Sequence, residues 1–220
     1  MAEHIDDDEQ VEALKRWWAE NGRSTLIAVV LAVGGTLGWQ QYQGWSEQQR
    51  ELASDAWSSA LVKLDSADSA QQDEGLAGAA RVIEDYPGTT YARFAALKLA
   101  AIAVQNENLT DAEKWLRQAL ASGAQADELG QLIQLRLARV LVASGDESAA
   151  LKILSQQSQA YGVSYATARG DLHLAAGRPK DALAAYREAR AASLAEGNPP
   201  GILDIKITSL ESRLAEGSTS

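Results

Sequence analysis

The sequence predicts an all-α protein in which a single N-terminal transmembrane helix precedes a helical-repeat solenoid. Three observations carry this. Nineteen uncharged residues run from Ser24 to Tyr42, the chain after Glu47 is alanine-rich with apolar residues at helical spacing and no convincing strand, and a glycine turn recurs at Gly145 and Gly177, 32 positions apart. The corresponding segments are an acidic leader over 1–22, a membrane crossing over 23–45, and a repeat domain over 46–216 that ends in a capping helix.

The leader reads as a short amphipathic helix. Val11, Leu14 and Trp18 fall on one face, acidic residues open it, and Asn21-Gly22 supplies a stop. One reading makes it a small cytoplasmic docking element. The other makes it a solvated tail ending in an aromatic interface anchor.

As a helix the uncharged run spans about 28 Å, close to one hydrocarbon core. Leu26 to Val33 with Leu37 contribute roughly −2 to −4 kcal/mol toward insertion, partly offset by Gly34, Gly35 and Gly38. Trp17 and Trp18 precede the run and Trp39, Tyr42 and Trp45 follow it, where amphipathic rings favour the two water interfaces. A cleavable secretion signal would open with a short basic stretch, and here 22 residues with an acidic run come first. A core helix of a soluble domain would carry a polar face, and Leu26 to Leu37 is apolar all round. Lys15, Arg16 and Arg23 lie before the crossing and only Arg50 closely after it, which places the N-terminus in the cytoplasm and the bulk of the chain outside. Gly34 and Gly38 form a GxxxG spacing that admits a second transmembrane helix at close range, although glycine is common in such helices without any contact.

Beyond Glu47 the helices pair across tight turns. Gly145-Asp146 and Gly177-Arg178-Pro179 are the clearest, the second with proline where a first helical residue tolerates it. Thr110 and Glu113 have the spacing of a capping box that starts another second helix. Aligned on the turns, Leu137-Ala138, Leu141, Gly145, Ala150 and Leu154 match Gly170, His173, Gly177, Ala182, Tyr186 and Ala189 in the following unit. Leu99-Ala100, Ala103, Glu107, Ala112, Leu116 and Ala119 make a weaker earlier unit. The pattern resembles the tetratricopeptide repeat, a helix-turn-helix of about 34 residues. It lacks that family's aromatic at the start of each first helix, where Ala96, Gln134 and Ala166 stand, so the units are TPR-like. Residues 47–64 and 71–85 form a plausible first pair, and Leu203, Ile207, Leu210 and Leu214 form the apolar stripe of a helix that caps the array.

Charge and chemistry narrow the function classes. Twenty basic against thirty acidic residues give a net charge of −10, which repels phosphate backbones and argues against nucleic acid as a partner. Cysteine is absent, which excludes disulfides and thiolate chemistry. Of the two histidines, His4 lies beside an acidic run and His173 takes a packing position of the repeat, so neither makes a metal site. No catalytic constellation and no cofactor motif is visible. What remains is the concave face built by the first helices. Transferring the repeat pattern places Phe94, Leu97, Ala101, Val104, Leu132, Leu135, Arg139 and Val142 there, either to hold extended polypeptide or simply to pack against a neighbouring helix.

The block VEALKRWWAENG from Val11 to Gly22, the crossing that ends in Gly38-Trp39, and LRLARV from Leu135 to Val140 resemble the ancillary SecYEG translocon subunits, the YfgM family. The resemblance implies a bacterial inner-membrane protein with a periplasmic repeat domain. Its implied partners are the Sec translocon, a membrane-tethered periplasmic folding factor of prolyl-isomerase type, and translocating polypeptides that it helps pass to chaperones. Two other readings stay open: a regulatory protein whose cytoplasmic leader controls a stress-response factor, and an envelope-assembly scaffold released by cleavage.

Overall fold

Short polar side chains start the helices of the repeat domain. Asp68, Thr89, Asn108, Asp127 and Asp146 each accept a hydrogen bond from a backbone N–H in the first turn of the helix that follows. Each such cap contributes about 1 kcal/mol by satisfying an otherwise orphaned donor. The computed structural model describes residues 3–123, 125–156, 158 and 160–217, with side chains from residue 11 onward except at 13 and 217. The side chains of His4 and of Asp6 to Glu9 lie outside the described residues.

The described residues form nine helices and no strand: α1 (Glu3–Leu64), α2 (Ser69–Asp85), α3 (Thr90–Gln105), α4 (Leu109–Ala121), α5 (Glu128–Ser144), α6 (Glu147–Leu154), α7 (Gly162–Ala175), α8 (Pro179–Ala195) and α9 (Ile202–Gly217). They fall into two units, residues 1–51 and residues 52–220.

Within the first unit the helix is unbroken, so Asn21-Gly22 is no stop. One interior glycine costs only about 1 kcal/mol, too little to end a helix whose flanks are strongly apolar. Local bonds also hold it: Asn21 Nδ2 donates to the Trp17 carbonyl at 3.2 Å, and the Ser24 and Thr25 hydroxyls donate to the Asn21 carbonyl. Gly22 is covered by the Trp18 indole, whose nearest atom is 3.1 Å from where a Cβ would stand.

In the second unit the chain folds as successive antiparallel pairs, α3 with α4, α5 with α6 and α7 with α8, each pair packed on the next. Three turns within these pairs share one geometry. Gly145 and Gly177 are left-handed, at φ +86° and +71°, and so is Glu107, at φ +58°. In each case the next residue donates back to a carbonyl five positions earlier: Asn108 to Ala103, Asp146 to Leu141 and Arg178 to His173, at 2.8–2.9 Å. This is the Schellman closure, which satisfies the last carbonyls of a helix and normally selects glycine. The aligned turn position therefore keeps its conformation in the earliest unit even where glycine is missing. Thr110, by contrast, is not a cap. Helix α4 begins one residue before it, because the nearer Asn108 Oδ1 takes the Asp111 N–H at 3.1 Å and Glu113 is left to pair with Arg117.

Small residues let the helices approach. A Cβ on Gly170 would run into the Tyr186 ring across the α7–α8 pair, and one on Gly75 would come within 2.7 Å of the Leu64 backbone nitrogen. The aligned positions Ala138, Ala150, Leu154, Ala112, Leu116, Ala182 and Ala189 are all buried. One core extends from Ala60 to Leu172 across the successive pairs. A second gathers α7, α8 and α9, where Leu203, Ile207 and Leu210 are buried and Leu214 packs against them. Tyr186 donates to Asp171 at 2.6 Å and Lys206 pairs with the same carboxylate, which fixes the capping helix to the last pair.

Candidate functional site

Two surfaces stand out, one on each unit. On the first, Leu26, Ile27, Val29, Val30, Leu31, Val33 and Leu37 all project outward and are more than half exposed, an arrangement stable only against lipid or another apolar partner. Among the described residues α1 holds the one segment long and apolar enough to cross a membrane. Its aromatic neighbours sit in two groups. Trp17 and Trp18 have ring centroids 6.3 Å apart, and Trp39, Tyr42 and Trp45 form a chain with spacings of 6.1 and 6.2 Å. From Trp18 to Trp39 the helix rises about 32 Å, one hydrocarbon thickness. Arg23 lies exposed just inside the first group. A Cβ on Gly34 or Gly38 would meet nothing within 4 Å, so nothing in the chain's own packing requires glycine there.

The second surface is a groove of about 470 Å³ between α3, α4 and α5. Leu97, Ala101 and Val104 of α3 form one wall, Leu132, Val140 and Ala143 of α5 the other, and Leu109 and Leu116 of α4 contribute from below. Val104 is 45% exposed, a large apolar group left facing solvent. Among the described residues, the only charged side chains on the lining are Arg136 and Arg139.

Of the eight residues that the repeat pattern assigns to the concave face, the structure gathers Leu97, Ala101, Val104, Leu132 and Arg139 around the groove. It places three elsewhere. Leu135 is 2% exposed and belongs to the core, because α5 packs on neighbours along more than one face. Val142 is half-buried and turns toward α7, beside Leu172 and Ala175. Phe94 is exposed but stacks edge-on against Tyr91, ring centroids 6.4 Å apart, off the groove lining. The repeat pattern does not assign Arg136, Leu109 or Leu116 to the concave face, yet all three line the groove. Arg136 stands three residues before Arg139 and so shares its helix face, a signal the sequence does carry. The α4 residues gave none, since the repeat pattern assigns the concave face to first helices alone.

An ion pair between a buried arginine and a partly exposed aspartate ties α3 to the start of α5. Arg93 on α3 is 5% exposed and donates to both oxygens of Asp127, the cap of α5, at 2.7 and 2.9 Å. That bond pulls the Asp127 carboxyl down to about 2 against the opposing effect of burial, with help from the Gly130 N–H. A bidentate guanidinium–carboxylate pair fixes direction as well as distance.

The comparisons with known proteins agree with this architecture. A family model described as a tetratricopeptide repeat-like domain matches residues 15–212, taking in the apolar run as well as the repeats. A protein of Aggregatibacter actinomycetemcomitans is 32% identical over 191 residues, covering 86% of this chain and 91% of its own length. Proteins of Haemophilus influenzae and Escherichia coli are each 31% identical, covering 86% and 84% of this chain and 91% and 88% of theirs. All three are named ancillary SecYEG translocon subunit. The chain belongs to this tetratricopeptide repeat-like family. No solved structure gives a significant match. Family membership accounts for the all-helical repeat fold, and the matched span from residue 15 to 212 holds the apolar segment together with the repeats.

Proposed function

We propose that this protein is a non-enzymatic accessory subunit of the Sec translocon, held by one inner-membrane crossing with its N-terminus in the cytoplasm and its repeat domain in the periplasm. The domain holds segments of emerging polypeptides and passes them to periplasmic chaperones, together with a membrane-tethered folding factor. The observation that carries this reading is an open apolar groove on a domain joined to a lipid-facing helix, in a family whose relatives are named translocon subunits. Tethering raises the local concentration at the pore, so weak contacts suffice to hold a passing chain briefly and release it. A shallow, mostly aliphatic groove suits that task because apolar contact is non-directional and tolerates many sequences. Gly34 and Gly38 give the crossing a flat side against which a translocon helix packs.

Isolation of the full chain from gently solubilised inner membranes tests the proposal. The translocon channel and the folding factor should co-purify, and protease added to spheroplasts should digest the repeat domain. A repeat domain protected from external protease, or preparations free of the channel, would contradict it.

A further inference from the structure

Six arginines of the repeat domain are paired within the chain, and four, Arg81, Arg136, Arg139 and Arg213, have no ion pair among the described residues. Arg93, Arg117, Arg169, Arg178, Arg187 and Arg190 are each held in an ion pair with a carboxylate of this chain. Arg136 and Arg139 have no ion pair or hydrogen bond from their side chains among the described residues, and both are exposed. Among the described residues no acidic side chain lines the groove they border. What sets Arg136 and Arg139 apart from the other unpaired arginines is position: three residues apart on one helix face, they put two positive charges at the edge of an apolar groove in a chain of net charge −10. Their aliphatic stems extend the apolar wall while the charged heads stand at its edge.

Resting on the polypeptide-binding reading of this groove, we propose that its preferred occupant is a segment in which a carboxylate lies among aliphatic side chains: the aliphatic groups fill the space between Leu97, Val104 and Leu132, and Arg136 and Arg139 pair with the carboxylate. Arginine suits this role because its planar fork matches a carboxylate with two parallel hydrogen bonds and sheds water more readily than an ammonium group. The groove thereby discriminates by charge among apolar segments that it would otherwise hold alike.

The test uses the full chain in phosphatidylcholine nanodiscs and three fluorescein-labelled ten-residue peptides of alternating leucine and serine, carrying glutamate, glutamine or lysine at the centre. Fluorescence anisotropy should show the glutamate peptide binding about five-fold more tightly than the glutamine peptide, in the range of two rim-exposed ion pairs, and the lysine peptide more weakly still. The preference should shrink as salt rises from low to high ionic strength. It should vanish in the Arg136→Gln/Arg139→Gln variant while glutamine-peptide binding persists. Both side chains are exposed, and an unchanged thermal melt verifies that the variant is folded. Equal binding of glutamate and glutamine peptides overturns the charge inference and leaves the polypeptide groove standing; failure of all three to bind overturns both. A preference that survives the double substitution, or that disappears when the nanodisc carries phosphatidylglycerol, also overturns it, the latter because the arginines would then serve an anionic lipid.

Discussion

Glu107→Gly should stabilise the protein, an unusual direction for a change that removes a side chain. Glu107 occupies the left-handed turn position that glycine fills at 145 and 177, with φ +58°. That conformation costs a residue bearing a Cβ about 1–2 kcal/mol. Glycine removes the cost but returns about 0.4–1 kcal/mol through the larger freedom of the unfolded chain, leaving a net gain of roughly 0.5–1 kcal/mol. The Glu107 side chain is exposed and makes no ion pair or hydrogen bond among the described residues, so no compensating contact is lost. For a protein of this size the gain corresponds to a rise in Tm of about 1–4 °C. The reverse change, Gly145→Ala at φ +86°, should lower Tm by a similar amount. Thermal unfolding of the full chain followed by helical circular dichroism reads both. A fall in Tm for the Glu107 variant, or a rise for the Gly145 variant, would show that the three turns are not equivalent and that the earliest unit has been placed wrongly in the repeat.

Other consequences follow from packing, charge and insertion. Gly170→Val drives a side chain into the Tyr186 ring and should lower stability by about 1–3 kcal/mol, measured as a urea midpoint. Asp127→Asn keeps a capping side chain and loses the charge facing Arg93, costing about 1 kcal/mol at neutral pH for a carboxylate that is partly exposed. Because the native carboxyl titrates near 2, below its unfolded value, its contribution is complete above about pH 4 and disappears as pH falls toward 2; urea midpoints of the two proteins should converge over that range and differ by a constant amount from pH 5 to 7. Val30→Arg should make insertion less favourable by about 2.5–3.5 kcal/mol, and unchanged membrane fractionation would contradict a lipid crossing.

The sequence revealed the repeat through its turns because a left-handed backbone and a close helix approach restrict residue type sharply: Gly145, Gly177, Ala150 and Ala182 have few substitutes. The crossing was legible for a similar reason, since hydrocarbon excludes charge over a fixed length. Helix starts were harder to place. Asn108 and Thr110 are both competent caps, and the choice fell to the one whose oxygen reaches the Asp111 N–H. Asn21-Gly22 has the composition of a stop, yet a single glycine cannot outweigh the helical segments on either side. The groove was the least legible feature. Helical periodicity gives the direction of Leu135 and Val142 but not how far a neighbouring helix covers them, and the contribution of Leu109 and Leu116 depends on the angle at which α4 meets α3 and α5.

A photo-crosslinking amino acid placed at Ala101, inside the groove, reads whether that groove receives polypeptide. With a secretory polypeptide stalled in the translocon of intact cells, position 101 should crosslink to the stalled chain and Ser209, on the exposed side of α9, should not. Crosslinks of equal yield at the two positions, or none at 101, would contradict a groove that receives polypeptide at the membrane.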